Sequence, residues 1–373
     1  MRIAQVAPLY VDTPPRSYGG TERIISSLTD ALVEAGHEVT LFATGGSRTK
    51  AELVAFVPEA IGFDHLYDSG VAHTALLAEV YRRASEFDVI HSHLDHQAFP
   101  FAARSKTPTI FTLHGSLDMP YYPAALRAFR DLRYVSISDS QREPVPDLNW
   151  MATVYHGIDV ESHPFSDTPG EYLLFVGRIS PEKGPEHAIA IAKKANLPLK
   201  IAAKVDPKDR KFFEQTIKPL LDDPLIEFLG PVNERRKRVL MKNALALLLP
   251  IRWREPFGMV FIESLACGTP VLTCPQGAAP EILSEGVTGY MRESDDELAE
   301  AATRVVGVSR AGCRAWAKQR FDISGMMRNY VGVYQAAIDE SEPQHAFDIP
   351  ADVRVEPVVA GARSLTSEQA ISQ

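Results

Sequence analysis

Two cations, two carboxylates and a histidine stand in the sequence at spacings that suit a ligand carrying phosphates and hydroxyls. Arg178 and Lys183 lie in Phe175-Val176-Gly177-Arg178-Ile179-Ser180-Pro181-Glu182-Lys183-Gly184, where an apolar run enters a loop and Pro185 opens a helical pattern. Proline is pre-set for the first turn of a helix. Fixed cations beside the free N–H groups of such a turn offset the charge of a diphosphate. The plainer reading is a pair of solvated charges in a loop. Glu255 and Glu263 belong to Glu255-Pro256-Phe257-Gly258-Met259-Val260-Phe261-Ile262-Glu263. Phe257–Ala266 reads as a helix ended by Gly268, so one carboxylate stands at its mouth and the other on it. Carboxylates accept hydrogen bonds from vicinal hydroxyls, which both a sugar and a ribose present. Glu263 is flanked by Ile262 and Leu265, which disfavours a merely solvated charge. His114 follows the run Phe111-Thr112-Leu113 and precedes Gly115; a lone histidine there is otherwise often structural.

Other residues allow sharper and plainer readings. Gly19 and Gly20 form either a simple turn or a loop whose backbone approaches a phosphate ahead of a helix. His91, His93 and His96 have the spacing H-x-H-x-x-H but only Asp95 as a carboxylate complement, so no metal site is expected. Arg235-Arg236-Lys237-Arg238 reads as the solvated face of an amphipathic helix, with Val239, Leu240 and Leu245 on another face. A patch for an anionic membrane is the alternative.

The elements that must position these groups alternate short β-rich runs with longer helical patterns, the mark of parallel α/β sheets. The first half gives strands at Arg2–Pro8, His37–Ala43, Asp88–His91, Thr109–Leu113 and Tyr134–Ser138. Ile24, Ile25, Leu28, Leu32 and Val33 recur at helical spacing, and Gly36 closes that helix. A second series begins near residue 171 with Tyr172–Val176, Leu199–Ala203, Ile226–Leu229, Leu245–Leu249 and Val271–Cys274. Asp159–Gly170, with Pro164 and Pro169, suits a linker. Two doubly wound domains in series are therefore expected, residues 1–163 and 171–320. In such sheets ligands bind beyond the carboxyl ends of the strands. From about Ser341 the composition suits an extended tail, 341–373.

The 373 residues are 45% hydrophobic and 23% charged, with a net charge of −9. That material is enough for two cores, and the acidic balance argues against nucleic acid as a partner. Cys267, Cys274 and Cys313 read as reduced, buried thiols of a cytoplasmic protein. The start MRIAQVAPLY reads as a strand and not a signal peptide, and no run of about 18 apolar residues predicts a membrane span.

The joint pattern of Gly177–Gly184, Glu255–Glu263 and Ala266–Val271 resembles the family 4 retaining glycosyltransferases of the GT-B fold, over residues 1 to about 340. The resemblance implies two facing Rossmann-like domains, with a crossover helix at 321–340 returning to the first. It implies that Arg178 and Lys183 bind the donor diphosphate and stabilise it as it leaves, that Glu255 binds hydroxyls of the donor sugar, and that Glu263 binds the ribose. Backbone N–H groups around Phe257, Gly258, Met259 and Val260 would contact sugar and phosphate. The family's glycine loop matches Tyr18-Gly19-Gly20-Thr21-Glu22, and His114 matches a histidine set against the donor sugar. His91 and His93 would line the acceptor side. Tyr155-His156-Gly157-Ile158-Asp159 matches a further family segment. The implied reaction transfers a hexose from a UDP- or GDP-sugar to a hydroxyl acceptor, a glycan, a lipid-linked or a small-molecule one, with retention, without metal and with no cofactor beyond the nucleotide sugar. Peripheral membrane contact fits some family members. A sugar-nucleotide epimerase or phosphorylase shares such a fold, and a non-catalytic sugar-nucleotide binder is the non-enzyme alternative. A dinucleotide oxidoreductase is disfavoured, since no G-x-G-x-x-G follows the first strand.

Overall fold

The computed structural model describes residues 1–16, 19–62 and 66–341. The expected tail beyond Ser341 lies outside the described residues, as do Ser17 and Tyr18 of the glycine loop. The first half forms seven parallel strands: β1 (Arg2–Val6), β2 (Glu38–Thr44), β3 (Glu52–Val57), β4 (Val89–Ser92), β5 (Thr109–Thr112), β6 (Arg133–Ser136) and β7 (Trp150–Thr153). Their spatial order is β3-β2-β1-β4-β5-β6-β7. The second half forms six: β8 (Leu173–Arg178), β9 (Leu199–Lys204), β10 (Ile226–Phe228), β11 (Ala246–Leu249), β12 (Val271–Thr273) and β13 (Gly289–Met291). Their order is β10-β9-β8-β11-β12-β13. In each sheet the winding reverses once, between β1 and β4 and between β8 and β11. The crevice at the carboxyl ends of such a switch point is a natural ligand site.

The central strands are covered on both faces, so they read as continuous apolar runs. β3, β7 and β13 were not expected from sequence. All three are edge strands, and β3 and β7 are only partly buried. An edge strand needs apolar cover on fewer sides, and its residues carry a weaker pattern.

One core fills the second half, around Leu173, Phe175, Leu247 and Phe261. The first sheet has a core on each face. One gathers Phe42, Phe99, Phe111 and Tyr134. The other gathers Ile3, Ile24, Val89 and Val135, and it is closed by Met326, Tyr330, Val333 and Tyr334 of the helix Ile323–Asp339. That helix follows the second sheet in sequence yet covers the first. The chain therefore passes between the halves twice, and the two passages are bonded to each other. The N–H of Ile158 donates to the carbonyl of Phe321 at 2.8 Å, and the N–H of Ile323 donates to the carbonyl of Ile158 at 2.9 Å. The segment after Ile158 has no strand or long helix, as a linker should. It is nonetheless held: the buried guanidinium of Arg310 donates to the carbonyls of Ser166, Lys242 and Ala244. Cys267, Cys274 and Cys313 are free thiols in the core of the second half. No helix among the described residues is long and apolar enough to cross a membrane.

Candidate active site

A cavity of about 670 Å³ opens between the carboxyl ends of the two sheets. Gly19, Gly20, Glu22, His93, His114 and His156 line it from the first half. Arg178, Lys183, Glu255, Phe257, Gly258, Met259, Val260 and Glu263 line it from the second. Every sequence-predicted site residue except His91 is thus brought to one place.

Two helix starts face this space. Gly258 has φ 88°, and a Cβ there would stand 2.6 Å from the Phe261 ring. The helix consequently begins at Met259, running Met259–Ala266, two residues later than expected at Phe257. On the other side the helix Gly20–Glu34 begins behind Gly19. Glycine has no side chain with which to cap, so first-turn N–H groups of both helices are left for water or a ligand. The positive ends of both helix dipoles favour an anion between them.

Lys183 ends a short 3₁₀ turn, Pro181–Lys183, and Gly184 follows with φ 67°. A Cβ on Gly184 would stand 2.5 Å from the carbonyl oxygen of Pro250. The glycine therefore lets the loop after β8 press against the loop after β11, which carries Glu255. As a result Lys183 Nζ donates to Glu255 Oε2, and Trp253 Nε1 donates to the same oxygen at 2.9 Å. The ammonium also lies 5.2 Å from the centre of the Trp253 ring, a cation–π contact. Arg178, at the end of β8, donates to Glu182 at 3.0 Å and stands 3.6 Å from Asp206.

Glu263 is 4% exposed. Its oxygens accept from Lys237 Nζ at 2.9 and 2.8 Å. Burial alone would raise its pKa, but the charge and hydrogen bonds of Lys237, aided by His163 and Arg23, hold the carboxyl below the usual range. Lys237 also meets Glu234 at 2.9 Å, and Glu234 meets Arg23 of the first half at 3.1 Å. The expectation of a wholly solvated basic face is corrected here. In the helix Glu234–Lys242, Arg235 and Arg236 are exposed while Lys237 points inward. Val239, expected on the apolar face, is 47% exposed, and Leu245 lies beyond the helix. The inward face is Lys237 with buried Met241, four residues on. That spacing was the available signal.

The acceptor-side expectation is corrected for His91. It lies behind the cavity wall with both ring nitrogens engaged, Nδ1 with the Tyr334 hydroxyl and Nε2 with Thr112, each at 2.7 Å. His91 packs against Tyr330 and Tyr334 of the helix that closes the first core, one layer behind His93, with the two histidine ring centres 4.0 Å apart. His93 does line the cavity. Its Nδ1 is 2.9 Å from His114 Nε2, and its Nε2 is 2.9 Å from Gln5 Oε1. His156 stacks on His114 with ring centres 5.2 Å apart and meets Phe257 edge-on. Burial depresses all four histidines, His114 to about 3. The rings are therefore neutral polar walls at ordinary pH. Among the described residues no group of three or more His, Cys, Asp or Glu side chains is placed to hold a metal ion.

Sequence reasoning gave no site role to Lys237, Trp253, His156 or Glu22. The first three act through contacts across loops, which spacing does not reveal. Glu22, in the first turn of Gly20–Glu34, is 4% exposed, and burial raises its pKa to about 7. The assembled site offers cations and helix N-termini for phosphates, carboxylates for hydroxyls, and neutral rings between them.

The comparisons agree with that chemistry. Residues 18–162 match the family described as Glycosyltransferase Family 4, and residues 161–310 match Glycosyl transferases group 1. Phosphatidyl-myo-inositol mannosyltransferase of Mycolicibacterium smegmatis is 26% identical, covering 90% of this chain and 94% of its own. D-inositol 3-phosphate glycosyltransferase of Frankia alni is 27% identical over 76% of this chain and 84% of its own. Among solved structures, Anabaena Alr3699/HepE in complex with UDP and glucose superposes with a TM-score of 0.69 at 19% identity, over 90% of this chain and 99% of that one. AviGT4, a glycosyltransferase involved in Avilamycin A biosynthesis, gives 0.70 at 22%, over 91% and 98%. With two matched regions that meet end to end across both halves, and a shared two-sheet architecture, this chain belongs to glycosyltransferase family 4 and has the GT-B fold.

Proposed function

We propose that the protein transfers a hexose from a UDP- or GDP-sugar to a hydroxyl acceptor, with retention of anomeric configuration and without a metal ion. The observation that carries the reading is the cavity wall itself: Arg178, Lys183 and two uncapped helix starts gathered with Glu255 and Glu263 around one space. A structural neighbour that binds UDP and UDP-glucose supports the donor class.

Arg178 and Lys183 hold the diphosphate, and the N–H groups at Met259 and Val260 face its developing charge. Such fixed donors stabilise a departing anion without reorganising. Glu263 accepts from the ribose. Glu255, whose Oε2 is held by Lys183 and Trp253, accepts from a sugar hydroxyl and is assigned no attack on carbon. Attack then comes from the departing face. The acceptor oxygen bonds the anomeric carbon as the bond from that carbon to the phosphate oxygen breaks. The acceptor proton passes to that phosphate oxygen. Relatives named for inositol lipids and inositol phosphate support a polyol acceptor, free or lipid-borne. Exposed Arg235 and Arg236 would meet the membrane in the second case.

Calorimetry with UDP, GDP, ADP and their common sugar conjugates, in metal-free buffer, tests the reading. Tight binding of one uridine or guanosine series is expected, with NMR of the product showing the donor's anomeric configuration. Failure of every nucleotide to bind, or an inverted product, overturns it.

A further inference from the structure

His114 stands at the end of a chain of hydrogen bonds that has one direction. Gln5, on β1, turns its amide nitrogen to the Tyr334 hydroxyl at 3.1 Å and its carbonyl oxygen to His93 Nε2 at 2.9 Å. A carbonyl only accepts, so the proton of His93 is on Nε2. His93 is fully buried and neutral, with a single N–H. Its Nδ1 must therefore accept, and the donor 2.9 Å away is His114 Nε2–H. At the other end, Tyr334 accepts from Gln5 and donates to His91 Nδ1, and His91 Nε2–H donates to Thr112 Oγ1. Each member passes one proton along, from the cavity wall to the helix that closes the first core.

We propose that Gln5 and His93 are positioning residues that fix His114 as its Nε2–H tautomer, so that its Nδ1, just inside the cavity wall, is an unprotonated acceptor. His114 Nδ1 is shielded from solvent and has no partner among the described residues. Reversing the Gln5 amide would reverse every donor and put a proton on that nitrogen. A ring N–H is fixed in the ring plane and cannot rotate to find an acceptor as a hydroxyl can, and buried N–H groups are rarely left orphaned. On the sugar-transfer reading, this tautomer leaves His114 no free ring proton to give as an acid, since its Nε2–H is held by His93. Tyr334, on Ile323–Asp339, thereby takes part in setting protonation at the cavity wall from outside the site.

The test is NMR of the unliganded protein with ¹⁵N-labelled histidine, with resonances assigned by single His→Gln variants. The ring nitrogens of His91, His93 and His114 should each show the Nε2–H pattern. An Nδ1–H pattern for His114 in the wild-type protein overturns the proposal whether or not any sugar is transferred. Gln5→Glu, whose carboxylate accepts from both neighbours, should keep the His114 pattern. Gln5→Leu should mix both tautomers and lower kcat by about 10²-fold with donor KM little changed. A His114 pattern that is unmoved in folded Gln5→Leu sinks the positioning role. Absence of transfer activity in the wild type would count against the functional reading and leave the tautomer result standing.

Discussion

Lys237 Nζ stands 2.8 and 2.9 Å from the two oxygens of Glu263, and the carboxylate is 4% exposed. The lysine is the reason that a fully ionised carboxylate persists at that depth. Removing one member of a buried pair leaves an uncompensated charge, at a cost of about 3–5 kcal/mol. Lys237→Met should lower stability by an amount of that order in urea unfolding and weaken nucleotide binding, while exposed Arg235→Met should do neither. The pair also has a pH signature. Glu263 has a depressed pKa in the folded state, so its contribution is complete above the ordinary value of 4.5 and is lost as pH falls through the folded value. In Lys237→Met that part of the acid limb should disappear.

Lys183→Ala removes one of the cations lining the cavity and frees Glu255 from one of its two donors. Turnover should fall by roughly 10²-fold or more, and calorimetry should show a larger loss of affinity for the nucleoside diphosphate than for the nucleoside monophosphate. Near-normal kinetics would remove Lys183 from the mechanism.

Glu22 carries the opposite sign. Burial raises its pKa from 4.5 to about 7. A raised carboxyl favours the fold below the unfolded value, and that advantage is lost as pH rises through the folded one. The difference corresponds to roughly 3 kcal/mol at most. Glu22→Gln should therefore gain stability relative to wild type at pH 8 and change little at pH 4.5, measured by thermal unfolding in the two buffers. Equal shifts at both pH values would mean that the carboxyl is not held protonated.

Chelation offers a separate check on the proposed chemistry. Because both nitrogens of His91 and of His93 are already engaged by protein groups, these rings have no free lone pair for a metal. Activity should survive EDTA. Loss on chelation with recovery on adding one divalent ion would require another metal-holding group, such as the diphosphate itself.

How much could be seen beforehand depends on the range of the interaction. Arg178–Lys183 and Glu255–Glu263 are local: each pair sits in one loop–helix passage, and the spacing alone suggested a phosphate and a polyol. The buried strands were visible because both faces are covered. Lys237 was hidden inside a run of four basic residues, two of which, Arg235 and Arg236, are exposed. His91 and His93 differ by two positions and lie side by side, ring centres 4.0 Å apart, yet only His93, one residue past the strand end at Ser92, reaches the cavity. The partners that separate them, Tyr334 and His114, are 243 and 21 residues distant from them in sequence. No local pattern encodes such a contact.

The double passage of the chain, bonded at Ile158 and Phe321–Ile323, has a practical corollary for recombination. A single splice that joins one parent's first half to another parent's second half brings the returning helix from the other parent. Tyr330 and Tyr334 would then face a foreign core, and Tyr334 a foreign Gln5. The exchangeable cassette is the stretch between the two passages, inserted into a host that keeps both its own β1 and its own returning helix.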